Sequence, residues 1–492
     1  MERVYKFFLH PTRRSEYQQI DDEDANNNLS KSGVEKNFVP KRFPQYLATF
    51  IATIGTFSHG NSLGWSAPAL PNIEKNGDFE NFKSNSDIAT WIGAITLLGC
   101  FFSGFFVGIV VQRIGRKWTL LANGPIFIVG WLCIAFAPEV EWILAGRFIT
   151  GFCGAGTTLT VLIYVSEISE ANIRGTLCNA IGLAAGIGTL TTTALGSYIP
   201  WNTLSFINAF IPVIFTIGVI FIPESPQFLL AQGKVNQAIT SLKWLRGATS
   251  YEEIRDEFNS IKARKEKKDV KFSELMCASV LKPFGICLML MFFQQFGGIK
   301  GVMFYSVDVF KYAGTNIDAN LSAITIAAVQ VFFLFLSTLT VEKWGRRNSI
   351  MFSELGMALS LIALGVYFYL KENVDQATQN LGWLPLTSLI VYVLCYNLGV
   401  GPVTWTLMGE LLHSNGKGLT SSITTAFSYG MAFLITKLFI DMQAALTSYG
   451  CYWFFASVSF LGFIFCFVAL PETKGKNLLE IQQIFAKDRL RD

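Results

Sequence analysis

Charge is scarce in this chain. Only 15% of its 492 residues are Asp, Glu, Lys or Arg, where soluble globular chains carry about 25%. Histidine is scarcer still, with three in all. Nine cysteines are scattered singly and no Cys-x-x-Cys occurs, so neither a metal site nor a redox motif is suggested. The phosphate-cradling pattern Gly-x-x-x-x-Gly-Lys-Ser/Thr is missing, which argues against an ATP-driven pump. No nucleophile–base set stands out. Neither an enzymatic role, a cofactor nor a nucleic-acid partner is expected. Met1 to Arg42 has no apolar core of the kind a signal peptide needs. Its run from Asp21 to Asn28 reads as a disordered tail.

Apolar residues are plentiful. They make up 51% of the chain, with 44 phenylalanines, and the mean hydropathy is +0.41. This composition implies a protein that crosses a membrane many times. Crossing takes roughly 20 apolar residues per helix. Runs of that length fall near 46–68, 88–111, 118–136, 142–164, 176–198, 204–222, 284–310, 321–341, 349–370, 386–408, 419–440 and 452–470, twelve in all. They divide the chain into a tail at 1–44, six spans in 45–222, a polar helical insertion at 223–282, six spans in 283–470 and a second tail at 471–492. The basic run from Lys262 to Lys268 in the insertion reads as a solvated helical face. The tails and loops of one side hold 32 of the 39 Lys and Arg residues, and those of the other side hold four. Basic loops stay in the cytosol, so both termini and the insertion are expected there. The remaining cations, Arg147, Lys300 and Lys437, fall inside spans.

One stretch breaks the apolar pattern. Gln294 and Gln295 adjoin in the seventh run, with Lys300 six residues after the first, among the glycines 297, 298 and 301. A charge at the centre of a membrane helix costs about 2.5–3.5 kcal/mol on insertion scales. Such residues face a bundle interior or a wet cavity and mark a site; glue between helices is the plainer alternative. The glycines loosen the helix, and broken helices at membrane depth occur where protein or water satisfies the backbone. Lys300 admits three placements: against an anionic or strongly polar solute, paired with a carboxylate, or neutral or snorkelling towards the outer mouth. The span acids considered as partners, Glu167, Glu342 and Glu410, lie at the cytosolic ends, which disfavours a dedicated ion pair. A lysine facing the aqueous cavity is the expectation.

The two halves repeat. Gly115-Arg116-Lys117 and Gly345-Arg346-Arg347 lie 230 residues apart, after the second and eighth spans. Glu167 precedes Arg174 by seven residues, as Glu410 precedes Lys417. Pro223-Glu224-Ser225 ends the sixth span and Pro471-Glu472-Thr473 the twelfth. Three matched pairs in the same order indicate two parallel six-helix halves. Opposite charges at these ends can pair in one conformation and separate in another; ordinary interfacial charge is the alternative.

These motifs resemble the sugar porter family of the major facilitator superfamily. The likeness runs from about Tyr46 to Phe485. It is carried by GIVVQRIGRK (108–117), Gly146-Arg147-Phe148, YVSEISEANIRG (164–175), PESPQFL (223–229), QQFGGIKGVMFY (294–305), VEKWGRR (341–347), GPVTWTLMGEL (401–411) and PETKG (471–475). Within the family the likeness is to the insect facilitated trehalose transporters and, more distantly, to the facilitative glucose transporters. The resemblance implies an all-α membrane protein with the major facilitator fold, twelve transmembrane helices in two six-helix bundles. It implies a carrier that moves a sugar, a hexose or trehalose, by alternating access, in the plasma membrane. It also implies that Gln294 and Gln295 bind the sugar, that Trp405 stacks on its ring and that Tyr305 closes the outer gate. Amides match hydroxyls, and an aromatic face covers the apolar face of a sugar. Gln330 and Asn61 fall at further solute positions. The inner gate falls to Glu167, Arg174, Glu342, Arg346, Arg347, Glu410 and Lys417, with Arg113, Arg116, Glu224 and Glu472 of the matched motifs.

The departures bear on the solute. The family's Asn after Gly-Ile is Lys300, the Asp of the first cytosolic motif is Gln112, and a fifth-helix Gln falls at Gly182. The second Pro of Gly-Pro-x-Pro-Trp is Thr404, a Pro before Tyr164 is Leu162, the eighth-helix Asn is Gln330, and the Glu before Gly-Pro falls near Asn397. Proton-driven porters place an Asp in the first helix. Tyr46 to Pro68 holds no Asp or Glu, and the matching position is Asn61. Facilitated diffusion without proton coupling is therefore expected; His59 is the one titratable residue nearby and reads as a packed polar side chain. The rival readings are a carrier of another small polar or anionic solute and a non-transporting sugar sensor.

Overall fold

The computed structural model describes residues 40–79, 82–83, 86–266, 278–304, 319–374, 381–412 and 417–474. Among them all regular structure is helical. The second to sixth spans are Asp87–Ile114, Arg116–Ala135, Val140–Ile168, Ala171–Gly196 and Trp201–Phe221; the eighth and ninth are Ala319–Trp344 and Arg346–Asn373. By length and composition, ten described helices can cross a bilayer. Two features reconcile ten with the expected twelve. The helix Lys417–Ala469 holds the eleventh and twelfth spans, kinked at Thr447, where φ is 65°. The first span, Phe43–Gly64 continuing as Ser66–Asn76, is diluted by Thr, Ser, Gly, His and Asn. Thr49, Thr53, Ser58, His59 and Asn61 are all buried. Its polar residues therefore face protein and not lipid, as polar membrane residues must.

Two further spans are broken. The seventh stops at Phe296 and resumes as Ile299–Phe304, with Gly298 at φ +89°. The tenth runs Leu384–Leu398 and Val400–Leu411, interrupted at Gly399. At each break a side chain supplies the hydrogen bond that the helix loses. The Tyr392 hydroxyl donates to the carbonyl of Gly297 at 2.7 Å. The Val400 N–H donates to Ser353 Oγ at 3.0 Å, and that hydroxyl donates to the Cys395 carbonyl at 2.6 Å. In the first span, which is interrupted at Trp65 between its two helices, fully buried Arg147 acts. It donates to the Ser62 carbonyl at 2.5 Å, the Ser66 hydroxyl at 2.7 Å and the Ile92 carbonyl at 3.3 Å. Its guanidinium also lies 5.1 Å from the Trp65 ring.

Packing follows the repeat. In the first half, span two packs on four, three on four and six, and one on four, five and six. In the second, eight packs on ten, nine on ten, and seven on the eleven–twelve helix and ten. The halves meet where span two packs on eleven and span five on eight. Small residues allow these approaches: Gly104 abuts Ala426 and Gly186 abuts Val331 and Leu334. The insertion forms Pro226–Ala231, Val235–Arg246 and Arg255–Glu266 around Leu229, Leu242, Ile254 and Phe258. Its Arg246 clasps Glu257 with two hydrogen bonds, at 2.8 and 2.5 Å, and donates to the Ile168 carbonyl at 2.9 Å, which docks the insertion on span four.

Gly298 is the residue that the seventh-span break requires. A Cβ there would lie 2.8 Å from the Phe455 ring, in backbone that L side chains disfavour. Gly298→Ala should cost about 1–3 kcal/mol and lower the thermal midpoint in detergent. Gly285→Ala, where nothing lies within 4 Å, should leave that midpoint unchanged or raise it.

Candidate functional site

The two adjacent glutamines do different work. Gln294 is fully buried. Its amide donates to the carbonyls of Val400 and Gly401 at 2.9 and 3.0 Å, bracing the tenth-span break. Gln295 donates to Gln294 Oε1 at 3.1 Å and to Ser428 Oγ at 3.0 Å. That leaves Gln295 Oε1 buried and without a partner. Beside Ser428, Tyr429 carries an aromatic path across the molecule: Trp405 lies 6.4 Å from its ring and His59 of the first half 6.5 Å. His59 Nδ1 meets Thr158 Oγ1 at 2.9 Å, and Nε2 lies 3.8 Å from Cys100 Sγ. Lys300 is half-buried on the short helix Ile299–Phe304. That helix packs on the first span, which carries His59, and on the eleven–twelve helix, which carries Tyr429. Gln295, Lys300 and Trp405 thus share one central region with His59 and Tyr429.

Other expected site residues lie elsewhere. Asn61 meets the Asn208 amide at 3.0 Å, within the first half. Gln330, on span eight, has a buried Oε1 without a partner. Tyr305 lies outside the described residues. Sequence reasoning missed Ser428 and Tyr429, although polar side chains in the eleventh apolar run were a usable signal. It also missed Glu354, a lone acid in the ninth run. Glu354 is 1% exposed, and its carboxyl abuts Gly462 of span twelve.

The charged motifs build two matching clamps. In the first half, Arg116 pairs with Glu167 at 2.7 Å, and the Ser225 hydroxyl donates to the other Glu167 oxygen. The Glu224 carboxylate accepts the backbone N–H groups of Arg116, Lys117 and Ser225 at 3.1, 3.0 and 2.8 Å. In the second half, Arg346 pairs with Glu410 at 3.2 Å, and Thr473 Oγ1 donates to that carboxylate at 2.7 Å. Glu472 accepts the N–H groups of Arg346, Arg347 and Lys474 at 3.0, 3.2 and 2.9 Å. Each Glu caps the helix that follows the loop, where a negative charge is favoured. Gly115 and Gly345, at φ +101° and +89°, leave room: a Cβ would lie 2.4 Å from Glu224 and 2.7 Å from Glu472. Burial raises the Glu224 carboxyl above the ordinary range, against the pull of its three N–H donors and Arg116.

These clamps differ from a pairing seven residues along the chain. Arg174 donates to the Ser169 carbonyl at 3.2 Å, while Glu167 reaches Arg116 on another span. The cause is the end of span four at Ile168, which turns the chain before Arg174. Both clamps close within one half. Arg113 is exposed at the end of span two. Arg347 donates to the Phe467 carbonyl. The side chains of Glu342 and Lys417 lie outside the described residues.

A family model described as "Sugar (and other) transporter" matches residues 48–485. The chain belongs to this sugar (and other) transporter family. The facilitated trehalose transporter Tret1 of Polypedilum vanderplanki is 35% identical over 446 residues, covering 90% of this chain and 88% of that protein. The Tret1 of Apis mellifera ligustica is 35% identical over 469 residues, covering 94% and 92%. Among solved structures, the proton:xylose symporter XylE bound to 6-bromo-6-deoxy-D-glucose superposes with a TM-score of 0.75. It is 24% identical and covers 90% of this chain and 99% of that one. The inward-open xylose transporter XylE of E. coli gives 0.72 at 22% identity, covering 89% and 99%. The fold is the major facilitator fold of a multi-pass membrane transporter.

The matched clamps predict matched losses. Glu224→Ala and Glu472→Ala each strand three backbone N–H groups and should each cost about 1–3 kcal/mol. The two thermal midpoints, measured in detergent, should fall by similar amounts, and the double variant should lose about the sum.

Proposed function

We propose that this chain carries a sugar, a hexose or trehalose, across the plasma membrane by alternating access and facilitated diffusion. The observation that carries the reading is the unpartnered, buried Gln295 acceptor grouped with Trp405 and Tyr429. A carbonyl oxygen accepts from a sugar hydroxyl, and the aromatic faces cover the apolar side of the ring. The family and the trehalose-transporter relatives support the same solute class. Gln294 then acts by positioning: it holds the tenth-span break so that Trp405 is presented. The halves 45–222 and 283–470 move about this region, each kept rigid by its clamp, with both termini in the cytosol. Tyr46 to Pro68 of the first span holds no Asp or Glu, which leaves no carboxyl in that stretch to load a proton.

The test is uptake of labelled glucose and trehalose into vesicles holding the purified protein. Gln295→Ala and Trp405→Ala should each weaken apparent affinity about 5- to 150-fold, from about 1–3 kcal/mol. A protonophore should leave uptake unchanged. Normal affinity in both variants would overturn the site, and collapse with the protonophore would overturn uncoupled transport.

One observation favours a second reading, a carrier of an anionic solute. Lys300 reaches the central region, and none of the ion pairs among the described residues includes it. Lys300→Asn separates the two. If the lysine tunes a sugar site, this variant should carry glucose or trehalose as well as the parent or better. If it selects anions, the variant should lose uptake of an acidic sugar such as glucuronate.

A further inference from the structure

Spans two and eleven meet at the interface between the halves. At the end of that interface remote from the two clamps stands Lys437, the span cation that the solute reading leaves unused. Lys437 of span eleven pairs with Asp87, the first residue of span two. Its ammonium also donates to Thr90 Oγ1 at 2.9 Å and lies 5.2 Å from the Trp91 ring centroid. One turn earlier, Phe433 packs on Trp91 with ring centroids 6.0 Å apart. An ordinary interfacial lysine extends its ammonium to water. This one turns onto the neighbouring half, and its side chain is only 16% exposed.

Both partners suit an ion pair at this place. Asp87 opens a helix capped by the Ser86 hydroxyl, where the helix dipole favours a carboxylate. The Trp91 face adds cation–π attraction, which holds the lysine stem in place. By contrast, Arg116–Glu167, Arg346–Glu410 and Arg246–Glu257 each join residues of one half or of its docked insertion. Those pairs do not join one half to the other. Lys437–Asp87 crosses the moving interface.

We propose that Lys437, Asp87 and Thr90 form a latch that shuts this end of the molecule and opens when the solute site is exposed there. Asp87 is 74% exposed, so its pair with Lys437 is screened by salt and biases the two states by a modest factor, about three- to five-fold. That size suits a device that must open in every cycle. The proposal rests on alternating movement of the halves and not on what the solute is.

The test reads the movement and needs no solute. Phe433→Cys places a thiol just beneath the latch. Its labelling by a charged, membrane-impermeant thiol reagent, added on the side that Asp87 faces, is measured against the parent with its native cysteines. In that background Lys437→Met and Asp87→Asn should each speed labelling about three- to five-fold, and the swap Asp87→Lys with Lys437→Asp should restore slow labelling. Raising the salt concentration should speed labelling of the unaltered latch but not of Lys437→Met. Equal rates in all variants, or a swap that labels as fast as the single changes, would overturn the latch. Asp87→Asn is nearly isosteric at a largely exposed position, so the comparison survives if Lys437→Met folds poorly.

Discussion

A membrane interior leaves no backbone group to water, and this fold is arranged around that constraint. A straight apolar helix meets it alone but offers nothing to a polar solute. The chain instead interrupts its helices and repairs each interruption with a side chain. Arg147 repairs the first span, Tyr392 the seventh, and Ser353 with Gln294 the tenth. Each repair fixes the direction in which the next segment leaves. The broken pieces carry His59, Lys300 and Trp405, so the devices that keep the backbone satisfied also aim the candidate site.

The repeat distributes rigidity unevenly. Two clamps of the same design, a glutamate over the N–H groups of a helix start and an arginine–glutamate pair beside it, tie spans together inside each half. Glycine at positive φ is the geometric condition for both, because a side chain would occupy the carboxylate's place. Between the halves, spans two and eleven and spans five and eight pack without a clamp of this design, Gly104 against Ala426 and Gly186 against Val331 and Leu334. Clamps confined to each half tie its spans together while leaving the two halves unclamped to each other, as rigid-body rocking needs.

Much of this was legible in the sequence. Hydropathy located all twelve spans, the Gln-Gln-Phe-Gly-Gly run located the seventh-span break, and the matched motifs located both clamps. The rotation of each helix about its axis was not legible, because packing decides it. Gln294 and Gln295 read alike in sequence, yet one braces a backbone and the other leaves an acceptor open. Asn61 and His59 lie two residues apart, and only His59 reaches towards the second half. Glu167 could pair with either of two arginines, and the end of span four chose Arg116. Glu354 went unnoticed because a single acid does little to an apolar average, although burial makes it conspicuous in three dimensions.

The polar first span has a consequence for how the chain enters the membrane. Its buried Thr, Ser, Gly, His and Asn residues serve the finished bundle, but a nascent helix has no bundle to bury them against. Insertion is governed by the apolarity of the segment itself. The second span is predominantly apolar, whereas the first is diluted by those polar residues and partitions less readily. In the finished bundle those residues bury against spans four, five and six, so the first span finds partners for its polar side chains only after those later helices have been made.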